Sequence, residues 1–323
     1  MGITKNKINP VIFGLNGYYL NQNEIKMIKD NSIYGFIFFK RNIKNLYQFK
    51  SLINHIRYLS SNNPILMIDH EGGRINRFNS IFSQTKYTGE YFGELYKKNK
   101  KLFYTESKNF VKTNVNLFKY LGINTVAYPV CDLRRSNTHD VIGDRSFSED
   151  ISIVKKLSSH FIHEYQLRGI SCISKHVPGH GLSMQDSHFV LPVVTKDKSY
   201  LMKNDFLCFK GVKSKYMMTA HILYNSLDNM IASYSKKIIS LVRNKFNFKG
   251  LIMTDDICMK ALNERLEHKV TQPLIAGCDI ILHCSGNNNE MNKIISILSK
   301  WMSQKSIKKY QITKSKLSKK ITL

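Results

Sequence analysis

No apolar run in the 323 residues approaches the eighteen needed to cross a bilayer, and the first one, Val11-Ile12-Phe13, is too short for a signal-peptide core. Position 6 is Asn where N-myristoylation requires Ser or Thr. These absences predict a cytoplasmic protein that neither spans nor is anchored in a membrane. Paired cysteines are lacking too. The six thiols, Cys131, Cys172, Cys208, Cys258, Cys278 and Cys284, form no C-x-x-C and are expected as free, buried core residues in a chain large enough to fold without staples.

Acid is scarce: 23 Asp and Glu stand against 49 Lys and Arg, a formal charge of +26, and the tail after Trp301 carries seven lysines and no acid. A basic balance raises the prospect of a polyanion partner. However, the lysines are spread along the chain among Asn, Ile and Tyr, with no zinc-finger spacing, no aromatic RNA-binding segment and no basic heptad. We read the charge as compositional, with no nucleic-acid partner expected. Internal repeats are also absent.

What is present is a series of short apolar runs at residues 11–15, 35–39, 64–68, 123–127, 170–174, 215–219, 250–254 and 278–282, spaced widely enough for a helix between each. Continuous apolar runs of this length suit strands buried on both faces of a parallel sheet. Helical periodicity fills several gaps, as in Leu46, Phe49, Leu52, Ile53, Ile56 and Leu59, and in Ile151, Val154, Leu157 and Phe161. The gap from Asp69 to Ile123 should hold an extended loop besides a helix. Eight strand-helix units predict an α/β fold of one domain, a (β/α)8 TIM barrel over residues 1–290, with a C-terminal helix and basic tail over 291–323.

Polar residues gather after these runs: Lys40 and Arg41, Asp69 and Glu71, Asp132, Lys175 and His176, His221 and Asp255, with His283 in the last. That clustering marks one end of the barrel as a polar pocket. The densest segment is Lys175-His176-Val177-Pro178-Gly179-His180-Gly181, followed by Asp186-Ser187-His188. Pro178 and Gly179 forbid a helix that would bring His176 and His180 to one face, and no cysteine lies nearby, so a zinc site is not expected and no cofactor is required. His160-Phe161-Ile162-His163-Glu164 likewise matches neither zincin pattern. Asp186 and His188, two apart, can point the same way in an extended loop, where a carboxylate fixes an imidazole's tautomer and raises its pKa; the bland alternative is a loop-stabilising hydrogen bond.

Only one of Asp255 and Asp256 can face the barrel mouth. Asp256 suits a helix cap before Met259-Lys260-Ala261-Leu262, leaving Asp255 as a strand-end carboxylate able to attack an anomeric carbon. Its acid partner would be His188 in place of the usual second carboxyl group. Gly72-Gly73 would let backbone approach a ligand, Asp69 can accept two sugar hydroxyls, and Arg145 in Gly143-Asp144-Arg145-Ser146-Phe147 can clamp a sugar, although a plain turn explains the glycines equally well.

Ile68 to Arg74, Gly143 to Phe147, Lys175 to His188, Ala220-His221, Thr254 to Met259 and Ala276 to Asp279 follow one another in an order that resembles glycoside hydrolase family 3, in particular its single-domain bacterial β-N-acetylglucosaminidases of cell-wall recycling. The likeness spans roughly residues 10 to 285. It implies a retaining enzyme with a covalent glycosyl intermediate, Asp255 as nucleophile, His188 as general acid/base and Asp186 as its support. It further implies that Asp69, Arg77, Arg145, Lys175 and His176 hold a terminal N-acetylglucosamine, cut from a muropeptide saccharide. His70 stands where relatives usually carry Gln, and Val177 where Phe is usual. The first is expected to perturb the charge of the sugar site and the second to loosen the catalytic loop. His180 receives no role. Competing readings are substrate-assisted cleavage with Asp255 and Asp256 steadying an oxazolinium, phosphorolysis, and a non-catalytic basic barrel that binds polyanions.

Overall fold

The computed structural model describes residues 8–135, 139–187 and 189–303. Eight parallel strands close into a barrel in the order β1-β10-β9-β7-β5-β4-β3-β2. They are β1 (Asn9–Gly14), β2 (Ile33–Phe38), β3 (Ile65–Ile68), β4 (Thr125–Val126), β5 (Ser171–Val177), β7 (Tyr216–Thr219), β9 (Leu251–Asp256) and β10 (Ile280–His283). Each overlaps one of the eight apolar runs. Two further short strands, β6 (Val193–Val194) and β8 (Leu223–Tyr224), pair with each other outside the barrel and tie the loop after β5 to the loop after β7.

The strand period of two divides the core. Ile12, Ile37, Met67, Ala127, Ile173, Tyr216, Met218, Met253, Ile280 and Leu282 fill the barrel interior. Their strand neighbours, such as Val11, Phe13, Leu66, Ile68 and Ile252, face the helices. The barrel is therefore a packed core and not a pore, and only its rim is open to chemistry.

The described helices are α1 (Gln22–Asp30), α2 (Leu46–Leu59), α3 (Gly89–Lys98), α4 (Lys100–Leu121), α5 (Ile151–Leu167), α6 (Lys198–Lys203), α7 (Lys236–Asn244), α8 (Leu266–Ala276) and α9 (Asn288–Ser303). Several of their starts are capped: Asn21 with Glu24 forms a capping box on α1, and Asn45, Asn99, Asp150 and Ser235 accept first-turn N–H groups, each cap contributing about 1 kcal/mol. Gly122, with φ +90, ends α4 in the left-handed conformation that Gly adopts freely. The long gap after β3 thus holds a loop and two helices instead of one. Helix α9 buries Met291, Ile294, Leu298 and Met302, so the division expected at residue 290 falls within a helix packed on the barrel. The basic stretch from 304 onward lies outside the described residues.

Candidate active site

The C-terminal ends of the strands carry the polar residues. Asp69 leaves β3, Lys175 lies in β5 and Asp255 is the penultimate residue of β9. Opposite β10 the register of β9 slips by one residue between Met253 and Asp256, a bulge of the kind that re-aims a side chain. Asp255 there lies close enough to His180, His221 and Cys284 for its charge to act on all three.

Around Asp69 the side chains form one ion network. Lys175 Nζ reaches Asp69 Oδ1 at 2.8 Å and Glu71 Oε1 at 2.5 Å, while Arg77 pairs with Asp69 Oδ2. Arg145 grips Glu71 with two parallel bonds, Nε to Oε2 at 2.8 Å and Nη2 to Oε1 at 2.7 Å, and Nη1 donates to the Val141 carbonyl. Burial alone would raise the Asp69 and Glu71 carboxyls. The Lys175 and Arg77 charges outweigh it at Asp69, as Arg145 and Lys175 do at Glu71, and both are held below the usual carboxylate range. Burial works to lower the Lys175 ammonium, yet Asp69 and Glu71 carry it upward. Asp69, Glu71, Lys175 and Arg145 are charged at neutral pH, and with Arg77 they form a polar wall suited to a hydroxylated ligand. Glu71 went without a role in the sequence, yet it is the carboxylate that joins Lys175 to Arg145. Arg145 accordingly faces the site with most of its fork occupied.

A second cluster forms the start of the loop after β5. The buried Asp132 carboxylate accepts the His176 backbone N–H, His176 Nδ1 at 2.7 Å, and the His180 N–H at 2.7 Å. A carboxylate only accepts, so His176 carries its proton on Nδ1 and presents Nε2 for a ligand. His180 packs edge-on against His176 and its Nε2 lies 3.3 Å from Ser187 Oγ. Burial, with His176 beside it, pushes the His180 imidazole down to about 4. Val177 is fully buried in the outer core. Asp186 is half-buried at the rim, and His188 lies outside the described residues.

His70 departs from its expected influence on the sugar site. Its Nδ1 accepts the Arg77 N–H at 3.2 Å, so Nε2 donates to Gln84 at 2.7 Å, and Gln84 continues to Asn114 and Tyr165. Burial lowers its pKa to about 4. The ring is neutral near pH 7 and adds no charge.

Three further expectations change. Asp256 caps no helix: residues 257–262 form turns, and Asp256 Oδ1 instead accepts the N–H groups of Cys258 at 3.0 Å and Cys284 at 2.9 Å, tying the ends of β9 and β10 together. His283 faces away from the mouth, edge-on to Phe13 and bonded to Glu290 of α9 at 2.8 Å. Gly72, with φ +84, serves a tight turn whose missing Cβ makes room for the Tyr87 carbonyl, so its conformation answers to packing. His221 lies at the rim, accepting from Ser233 and donating Nε2–H to the Asp256 carbonyl at 3.2 Å.

Among the described residues, Cys258, His283 and Glu290 bring metal-ligand atoms within 4.8 Å of one another. His283 Nδ1 is buried without a partner, which leaves the proton on Nε2, facing Glu290. A metal on Nε2 would force that proton onto Nδ1, where nothing accepts it, and burial holds the Cys258 thiol up at about 12. These groups form a hydrogen-bonded helix start and fit a metal poorly.

The likeness to known proteins agrees with this geometry. The model of the glycosyl hydrolase family 3 N-terminal domain matches residues 10–318. A β-hexosaminidase of Actinobacillus pleuropneumoniae is 30% identical over 311 residues, 94% of this chain and 86% of that one. That of Haemophilus influenzae is 29% identical over 298 residues, 90% of this chain and 82% of the other. NagZ of Neisseria gonorrhoeae, solved in complex with N-trifluoroacetyl-D-glucosamine, superposes with a TM-score of 0.81 at 28% identity, covering 90% of this chain and 85% of that one. A barrel whose carboxylate-bearing rim follows the family's motifs in order, matched by the family model along nearly all its length, belongs to glycosyl hydrolase family 3 and is a glycosidase.

Proposed function

We propose that the chain is a retaining exo-β-N-acetylglucosaminidase that removes terminal non-reducing N-acetylglucosamine from peptidoglycan-derived muropeptides in the cytoplasm. The observation that carries this reading is the placement of Asp255 at the end of β9, on the same rim as the Asp69, Lys175 and Arg77 cluster. Asp69, Arg77, Arg145, Lys175 and His176 Nε2 hold the sugar. Asp255 attacks the anomeric carbon while His188, supported by Asp186, gives its proton to the glycosidic oxygen, and the leaving group departs. Water then loses a proton to His188 and attacks the same carbon, freeing Asp255 and restoring the original configuration.

Support for an N-acetylated sugar comes from the relatives' hexosaminidase names and from the amino sugar bound to the gonococcal protein. Asp256 has its Oδ1 occupied by two backbone N–H groups, which disfavours a paired-carboxylate, substrate-assisted route. Release of 4-nitrophenol from its β-N-acetylglucosaminide by wild type, Asp255→Ala and His188→Ala tests the reading. Wild type should turn over and both variants should fall by at least about 10³-fold; equal rates in all three would end it. Mass spectrometry after a 2-fluoro sugar should place the adduct on Asp255.

A further inference from the structure

His221 and Ser233 are fully buried at the rim, where each carries a polar group that burial obliges to find a partner. The loop after β7 doubles back on itself, with Leu223 bridging Ile231 and the Ala232 N–H donating to the Ile222 carbonyl at 2.8 Å, a return that sets Ser233 beside His221. His221 Nε2 lies 3.2 Å from the Asp256 carbonyl, which can only accept. The ring proton is therefore on Nε2, and Nδ1 accepts the Ser233 hydroxyl at 2.9 Å. Burial pushes the imidazole pKa down, so the ring is neutral at pH 7 and keeps that one tautomer.

The bond falls where the sheet's own ladder lapses. β7 pairs β9 only as far as Met218 and Met253, and on the other flank the register of β9 slips against β10 before Asp256. Side chains take over there: Thr254 Oγ1 accepts the Leu282 N–H at 2.9 Å, Asp256 Oδ1 accepts that of Cys284, and His221 serves the β7 side. The Asp256 backbone also reaches the carboxylate of its neighbour, because its N–H donates to Asp255 Oδ1 at 2.8 Å. Asp256 thus joins a fixed imidazole, through its carbonyl, to Asp255, through its N–H.

We infer that His221, held by Ser233, is a positioning residue for Asp255: it pins the Asp256 carbonyl, and the Asp256 N–H in turn sets the rotation of the Asp255 carboxylate toward the anomeric carbon. The inference rests on the reading of Asp255 as nucleophile given above. His221 exchanges no proton with the substrate in this arrangement; it acts through the backbone of one residue. A bulged strand end whose carbonyl is released can move, and a misplacement of about 1 Å costs on the order of 10²-fold in a chemical step. The ring's bonds go to Ser233 and Asp256 and not to the groups that hold the sugar, so its loss falls on the rate of attack and spares binding.

The readout is the time course of adduct formation on Asp255 with a 2-fluoro sugar carried on 2,4-dinitrophenolate, a leaving group that departs without a proton and so removes the contribution of His188. Mass spectrometry at several concentrations separates an apparent affinity from a maximal labelling rate. His221→Leu removes the donor and should lower the maximal rate about 10²-fold, with the affinity within about twofold of wild type. His221→Gln restores an N–H donor and should recover the rate to within about 10-fold of wild type. A variant that merely folds less well labels fewer molecules at the wild-type rate; that result, or equal slowing in the Leu and Gln variants, would overturn the inference. Should His221→Leu fail to fold, Ser233→Ala decides, because it frees the imidazole to move its proton to Nδ1 and should slow labelling about fivefold, whereas a wild-type rate would count against the device. Wild-type protein that forms no adduct on Asp255 would remove the nucleophile reading and the inference with it.

Discussion

Asp132 holds His176 at two points, accepting its backbone N–H at 3.2 Å and its ring Nδ1–H at 2.7 Å. The ring is thereby fixed in one tautomer and one orientation before any ligand arrives, and the same carboxylate also anchors His180. Asp132→Asn keeps the shape but turns an NH2 group toward N–H donors. We expect a loss of about 3 kcal/mol in stability and at least 10-fold in kcat/KM on the 4-nitrophenyl substrate. Urea unfolding and steady-state kinetics measure the two effects; a variant as stable and active as wild type would contradict the clamp.

Glu71 neutralises part of two buried cations. In Glu71→Gln, Lys175 keeps its pair with Asp69 but Arg145 loses the carboxylate that grips it, and the expected outcome is a destabilisation of about 3 kcal/mol with KM raised roughly 10-fold. Kinetics at saturating substrate check that kcat moves less than KM, as befits a residue acting through the sugar-holding groups.

His70→Gln retains an acceptor for the Arg77 N–H and a donor for Gln84, so KM should stay within about twofold of wild type, whereas His70→Ala should raise it about 10-fold. Equal KM values in the Gln and Ala variants would argue that His70 does not position Arg77.

Acid should unfold the protein in two stages. His70 and His180 are pushed down to about 4 by burial, while an unfolded histidine binds its proton near 6.5. Between those values the unfolded chain takes up protons that the native one refuses, so stability falls as pH drops from about 6.5 to 4. Asp69, Glu71 and Asp132, held below the carboxylate range, extend the loss below pH 4. Urea midpoints between pH 7.5 and 4.5 should show a shallower slope for His70→Gln than for wild type, by about 1.4 kcal/mol per pH unit.

The thiols should be silent until the fold opens. Burial raises all six, Cys131 and Cys258 to about 12, and only Cys258 is even half-exposed. Ellman's reagent at pH 8 should label at most one thiol in native protein and six in urea. Rapid native labelling of several would contradict the burial.

The barrel was legible because its strands are buried on both faces, which writes eight uninterrupted apolar runs into the chain and leaves polar residues at their ends. Asp69, Lys175 and Asp255 were readable for the same reason. Glu71 and Asp132 were visible as strand-end acids but not as organisers, since their partners lie 74 residues away at Arg145 and 44 away at His176, a relation that exists only after folding. His283 misled because it ends a strand like the others, and the side it faces depends on register. The strands β6 and β8, two residues each, are too short to carry a period.

That small pair has a dynamic consequence. Each of its strands belongs to a different catalytic-face loop, so outward movement of the chain at Val193 and Val194 either sheds their pairing with Leu223 and Tyr224 or draws the His221 loop with it. The His221 loop is in turn joined to the end of β9 by the bond from His221 to the Asp256 carbonyl. Replacing Leu223 or Asn225, whose N–H groups make the bonds of this pair, by proline would loosen both loops together.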